Sequence, residues 1–251
     1  GNLKMKCTII LFVVALIWPF AVSATSANHP HFKADVDVTD QASLQRGAKI
    51  FMNYCMGCHS AAYMRYNRMG KDLGIEDSIL QSNLMFATEK SGDTMTIAMR
   101  KGDAEKFFGT AAPDLSVIAR SRGADWLLTY FMTFYRDDSR PFGVNNLAFK
   151  DVAMPHVLWE LQGIQKPVFK TVVTEYGTQH EVIDHLELET PGTLDSDEYQ
   201  NTVNDLVNFL VYVGEPAQIQ RKSVGVIVIL YLLVLLVIVY MLKQEYWKDV
   251  H

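Results

Sequence analysis

Cysteine is scarce in this chain. Cys7, Cys55 and Cys58 are the only three in 251 residues. That number rules out a disulfide framework, and the lack of a second cysteine pair argues against a four-ligand structural zinc site. Positive charge is also missing from one long stretch: between Thr171 and Gln220 there is no Lys or Arg, while ten acidic residues occur. The net charge of −5 is too mild to name a partner by itself, and no nucleic-acid partner is expected. At this length the chain can bury one good-sized core or two small ones.

Apolar runs mark both ends. Near the start, Lys4 and Lys6 precede TIILFVVALIWPFAV and then small residues, the layout of an export signal cut after Ala24 or Ala27. An uncleaved N-terminal membrane helix is the alternative, although the run is short and contains Pro19. Near the other end, Ser223 to Leu242 carries no charge over 20 residues. At about 1.5 Å per residue that covers roughly 30 Å, the thickness of a bilayer core. The expected organisation is a signal over 1–24, an exported domain over 25–220, a membrane anchor over 221–243 and an inner tail over 244–251. With the signal removed, Cys55 and Cys58 are left with one local task.

That task is written in Cys55-Met56-Gly57-Cys58-His59. A redox dithiol also uses two cysteines three apart, but it needs a strand–helix–strand context and gains nothing from the following histidine. A covalent haem uses all three residues: two thiols for the two vinyl groups of the porphyrin, and His59 as an iron ligand.

The flanks agree. Asp40 or Thr39 can cap a helix over QASLQRGAKIFMNYC, with Leu44, Gly47, Ala48 and Phe51 on one face. A later helix places Val203, Leu206, Val207 and Leu210 on one face and ends at Gly214 and Pro216. For the second axial position, Met95, Met99 and Met132 read as helix-interior filler. Met154 precedes a proline that biases it to extended backbone, and His156 is its main rival. Arg120 and Arg122 are the candidate partners for the haem propionates.

Taken together, these segments resemble the cytochrome c1 family, the haem-bearing subunit of quinol–cytochrome c oxidoreductase (the cytochrome bc1 complex). The likeness runs through CHSAAYMRY, AAPDLSVIARSRGADWLLTY, the Met154-Pro155 pair, FLVYVGEP and the C-terminal anchor. It covers essentially residues 35 to 250, with 70–109 poorly matched. The resemblance implies a mainly α, class I c-type cytochrome fold with insertions, a small β-hairpin and one C-terminal transmembrane helix. It implies one covalent haem c per chain, linked at Cys55 and Cys58, with His59 and Met154 as axial ligands. It also puts Pro113 near the haem and Arg120 on a propionate. Pro-His after the methionine departs from the Ala-Pro-Pro common in mitochondrial members.

The implied role is electron transfer from a Rieske iron–sulfur protein to a soluble cytochrome c, beside cytochrome b in a dimeric complex. The implied setting is a bacterial inner membrane, with the haem domain on the periplasmic side. The rivals are a haem subunit of a terminal oxidase, a gas sensor with an open sixth position, and a haem-free dithiol oxidoreductase. The acidic 171–220 stretch, which includes a hairpin turning around Tyr176–Gln179, reads either as a solvated face or one that meets other subunits, or as a docking face that steers a basic cytochrome c. Changing Glu187 and Glu189 to Gln is then expected to flatten the ionic-strength dependence of electron delivery, measured by stopped-flow reduction of a basic cytochrome c.

Overall fold

The computed structural model describes residues 31–173 and 179–248. The expected signal over 1–24, residues 176–178 of the expected hairpin turn at Tyr176–Gln179 and the last residues of the tail, 249–251, lie outside this range.

The first helix, α1 (Gln41–Ile50), starts where Asp40 accepts a hydrogen bond from the Ser43 amide at 3.0 Å. The cap is therefore Asp40, while the Thr39 hydroxyl donates to Asp37. The expected single helix through Cys55 changes pitch at Phe51. Phe51–Cys55 form a π-helical turn, a widened turn that is common where helices carry functional residues. After the CMGCH loop come β1 (Ala61–Arg65), α2 (Tyr66–Leu73), α3 (Asp77–Asn83), β2 (Thr94–Met95) and α4 (Lys101–Phe108). The chain continues through α5 (Ile118–Arg122), α6 (Ala124–Met132), β3 (Phe134–Arg136), β4 (Val144–Asn146) and α7 (Trp159–Gln162). It ends with β5 (Gly163–Val173), β6 (Gln179–Pro191), α8 (Ser196–Gly214) and α9 (Gln218–Tyr246).

The architecture is helical with three separate two-stranded antiparallel sheets among the described residues. Met95 lies in β2 and Met99 outside any helix, so only Met132 of the three has the helical setting expected from the local sequence. Strand pairing with β1 explains the exception at Met95.

The core forms where α1 crosses α8. Leu44, Ala48 and Phe51 bury against Val203, Leu206, Val207 and Leu210, and the Phe51 and Phe209 rings meet at 5.5 Å. Gly47 sits at the crossing: a Cβ there would fall 2.1 Å from the Asp205 carbonyl oxygen. Polar groups clamp the same crossing. Arg46 donates twice to the Asp205 carboxylate, at 2.6 and 2.9 Å. Buried Asn208 donates to the Asp37 carbonyl at 2.8 Å and to Ser43 Oγ at 3.0 Å. A capping box between Asp195 and Glu198 starts α8.

The β5–β6 hairpin is larger than the small one expected, with strands of 11 and 13 residues. Its root is fixed: Gln165 Nε2 donates to the Met132 and Phe134 carbonyls at 3.0 and 2.9 Å. Gly163, at φ +89°, leaves no room for a side chain, since a Cβ would lie 2.2 Å from the Thr190 carbonyl oxygen. Pairing also alters the acidic stretch. Lys170 meets Asp184 at 2.6 Å, Lys166 meets Glu187 at 3.7 Å and Arg136 meets Glu189 at 3.4 Å. Asp205 and Glu215 are engaged by Arg46 and Arg221. Half of the ten carboxylates thus face cations supplied from outside the run, and the field on this face is weaker than the local sequence suggests.

The α9 helix is long and apolar enough to cross a membrane, and its apolar window has no residue buried against the rest of the chain. That exposure separates it from the core helix of a soluble protein, which buries at least one stripe.

Gly47→Ala is expected to cost about 1–3 kcal/mol through overpacking at the α1–α8 crossing, read as a lowered midpoint in denaturant unfolding of the full chain.

Candidate functional site

A cavity of about 420 Å³ opens between the CMGCH loop, the 108–131 segment and the 149–157 loop. Its volume falls in the range of small-molecule and cofactor pockets, about 300–1,000 Å³. Cys55, Cys58, His59, Pro113, Arg122 and Met154 all line it.

The thiol-bearing wall follows from the π turn and the loop after it. The Cys58 and His59 amides donate to the Cys55 carbonyl at 3.0 and 2.8 Å, which curls the loop tightly and brings His59 back over the cavity. Burial, followed by the neighbouring Cys58, pushes the Cys55 thiol up to about 12. Cys55 is therefore a thiol rather than a reactive thiolate at neutral pH, a poor match for dithiol redox chemistry.

His59 is oriented by a single contact, Nδ1 to the Pro113 carbonyl oxygen at 2.7 Å. A carbonyl can only accept, so Nδ1 carries the proton and Nε2 keeps its lone pair. Burial lowers the His59 pKa, opposed by this bond, and keeps the ring neutral. A neutral imidazole with its far nitrogen committed to a carbonyl is the arrangement that metal-binding histidines adopt.

Pro113 is held by its neighbours. Ala62 and Tyr63 amides donate to Asp114 Oδ2 at 2.9 Å and Ser116 Oγ at 3.1 Å, and the Leu115 amide donates to the Ser60 carbonyl at 2.8 Å. The HSAAY and PDLS stretches, far apart in sequence, are laced together as one wall.

Met154 stands on the loop after β4, and two buried asparagines shape that loop. Asn146 Oδ1 accepts from the Ala148 and Phe149 amides at 2.9 and 3.1 Å, while its Nδ2 donates to the Tyr130 carbonyl at 2.7 Å. Asn145 Oδ1 accepts from the Asp151 amide at 2.8 Å, beside the positive φ of Asp151, 60°. Sequence reasoning missed this scaffold; the Asn-Asn pair ahead of the Met-Pro loop was its only visible trace. The Met154 sulfur accepts a hydrogen bond from the Tyr130 hydroxyl at 3.3 Å, and burial raises the Tyr130 pKa well above the usual phenol range.

The rival ligand His156 lies elsewhere. Its buried ring stacks on Phe134 at 4.7 Å and borders a second cavity. Burial, against a smaller opposing effect of Gln162, pushes it down to about 4.

The two arginines also separate. Arg120 is outside the lining of the first cavity. Its stem packs over Gly214 and its guanidinium faces Glu215 at 3.9 Å. The cause is helical: α5 turns Arg120 toward the end of α8 and Arg122 toward the cavity. Arg122 lies over the Trp126 ring at 5.0 Å and near Phe149 at 5.9 Å, leaving its cationic head at the cavity margin.

The residues fit a c-type haem: two thiols, an imidazole with a free Nε2 and a thioether share one largely apolar cavity with a guanidinium at its margin. The site is that of a c-type cytochrome, carried by a chain with one long apolar C-terminal helix. Residues 31–250 match the Cytochrome C1 family, and the chain belongs to that family. It is 48% identical to cytochrome c1 of Allochromatium vinosum, over 97% of this chain and 99% of that protein. It is 45% identical to a Nitrosomonas europaea protein named ammonia monooxygenase gamma subunit, over 98% of this chain and 100% of that protein. A more distant relative, cytochrome c1 of Rhodospirillum rubrum, is 26% identical over 84% of this chain and 83% of that protein. Family membership implies a c-type haem and an electron-transfer role.

Asn146→Ala is expected to cost about 2–3 kcal/mol, because it removes the partner of two loop amides and of the Tyr130 carbonyl. Faster amide hydrogen exchange across 147–154 should accompany the loss.

Proposed function

We propose that this chain is the haem-bearing electron-transfer subunit of a respiratory cytochrome bc1 complex, with one haem c per chain on a class I c-type cytochrome fold. The observation that carries the proposal is the 2.7 Å bond from His59 Nδ1 to the Pro113 carbonyl, in a cavity that Cys55, Cys58 and Met154 also line. When bound, the haem supplies reversible one-electron chemistry at its iron.

The chain's own residues bind, orient and insulate. Cys55 and Cys58 would hold the group by thioether links. His59, in a fixed tautomer, would offer Nε2 to the metal, and Met154 would offer its sulfur, a soft donor that favours the reduced state. Pro113 fixes the histidine. Arg122 is the propionate partner in this reading, in place of Arg120, because Arg122 borders the cavity and Arg120 serves Glu215. The apolar walls exclude water, and none of these residues performs bond chemistry on a substrate.

In this reading cytochrome b and a Rieske iron–sulfur protein are the neighbours in a dimeric complex, and a soluble cytochrome c is the acceptor. The export signal ends near residue 24, and the domain over 25–220 faces the periplasm of a bacterial inner membrane. The segment 221–243 anchors the domain, and 244–251 lies inside. The name of the Nitrosomonas relative assigns that protein to another assembly; the role described for these residues serves electron delivery in either setting.

The test is spectroscopic. The polypeptide is expected to keep its haem through denaturation and acid–acetone extraction, and Cys55→Ala with Cys58→Ala to lose it. Axial-ligand choice moves haem potentials over about 0.8 V. Met154→Leu is therefore expected to retain covalent haem but to lower the midpoint by on the order of 0.1 V and to admit carbon monoxide at the ferrous iron. A colourless extracted polypeptide, or an unchanged midpoint in Met154→Leu, counts against the assignment.

A further inference from the structure

Tyr130 lies on α6 and is 8% exposed. Its ring is fixed on three sides: stacked on Trp126 at 5.2 Å and 14°, and edge-on to Phe131 at 5.4 Å and Phe134 at 5.0 Å. Its backbone carbonyl is the one that Asn146 Nδ2 holds at 2.7 Å, so the residue and the loop bearing Met154 share one scaffold. For packing alone, phenylalanine would serve here. A buried hydroxyl costs free energy unless it is paired, and this one donates its hydrogen bond to Met154 Sδ at 3.3 Å.

A thioether sulfur carries two lone pairs. One is available to a metal and the other to a donor. Methionine has three rotatable side-chain bonds and is otherwise loosely specified, so a donor fixed by stacked rings selects one orientation of the sulfur. The same bond draws electron density away from the sulfur. A poorer donor stabilises the more electron-demanding oxidised iron less than the reduced iron.

We infer that Tyr130 is a positioning residue for the axial thioether, and that its hydroxyl bond to Met154 Sδ raises the reduction potential of the haem. The inference rests on Met154 being the axial ligand. It adds a residue four positions after Trp126 on α6 that acts on the metal only through the sulfur.

The test compares the parent chain, Tyr130→Phe and Met154→Leu in membranes carrying the full-length protein. Tyr130→Phe keeps the ring and removes one oxygen. At a fixed ambient potential its ferrous-to-ferric ratio is expected to fall about threefold. That equals a downward shift of about 28 mV at about 59 mV per tenfold for a one-electron couple. The ferric sulfur-to-iron charge-transfer band should persist but move. An unchanged or raised ratio in Tyr130→Phe, with the band unmoved, overturns the inference.

A second measurement needs no variant. In the parent equilibrated in D2O, which exchanges the hydroxyl hydrogen and leaves the C–H hydrogens, the iron–sulfur stretching frequency in the resonance Raman spectrum is expected to shift, and no shift overturns the inference. Met154→Leu separates the two levels. If it keeps the parent's band and ratio, the ligand assignment itself has failed. If it abolishes the band while Tyr130→Phe behaves as the parent, only the role of Tyr130 has failed.

Discussion

One hydrogen bond organises this molecule, from the His59 imidazole to the Pro113 carbonyl. It decides which nitrogen is free, and so whether the ring can act as a ligand at all. It also ties together two stretches more than fifty residues apart. The hydrogen bonds around it, from the Ala62 and Tyr63 amides to the Asp114 and Ser116 side chains and from the Leu115 amide to the Ser60 carbonyl, hold that carbonyl in place. The thiols, the guanidinium and the loop methionine are arranged around a ring whose direction is already set.

The helical crossing under the site plays a different part. Gly47 lets α1 lie directly on the backbone of α8, and Asn208 and Arg46 prevent the close contact from sliding. The Cys55 wall grows out of the end of α1, while Leu210 from α8 reaches the same cavity. The cavity thus draws on both partners of the crossing: Tyr54 and Cys55 come from the π turn that continues α1, and Leu210 from α8. Local packing and the cavity lining are parts of one close-packed arrangement.

Much of this was legible in the sequence because it is written locally. The cysteine–histidine loop, the stripe at Leu44, Gly47, Ala48 and Phe51 and the apolar C-terminal run each need only a few neighbouring residues to be recognised. The capping aspartate before α1 could be read for the same reason. What escaped depends on partners distant in sequence. The different surroundings of Arg120 and Arg122 turn on which side of a short helix faces α8. Met95 looked helical until a strand from another part of the chain paired with it. The acidic run seemed unopposed because its cations come from the facing strand, from Arg136, and from Arg46 and Arg221. Counting charges along a chain cannot register cross-strand pairing.

The five-residue π turn at Phe51–Cys55 has a rotational consequence. In an ordinary α-helix each residue advances the side-chain direction by about 100°, and the wider turn spends an additional residue without completing that advance. At 100° per residue a uniform helix would set Cys55 about 80° from Gly47, and the wider turn changes that angle. The heading of the first thiol therefore depends on the π turn as well as on the stripe that packs on α8. Residue spacing between the notch and the first cysteine is thus a phase relationship, with tolerance for side-chain exchange but little for a change in residue number.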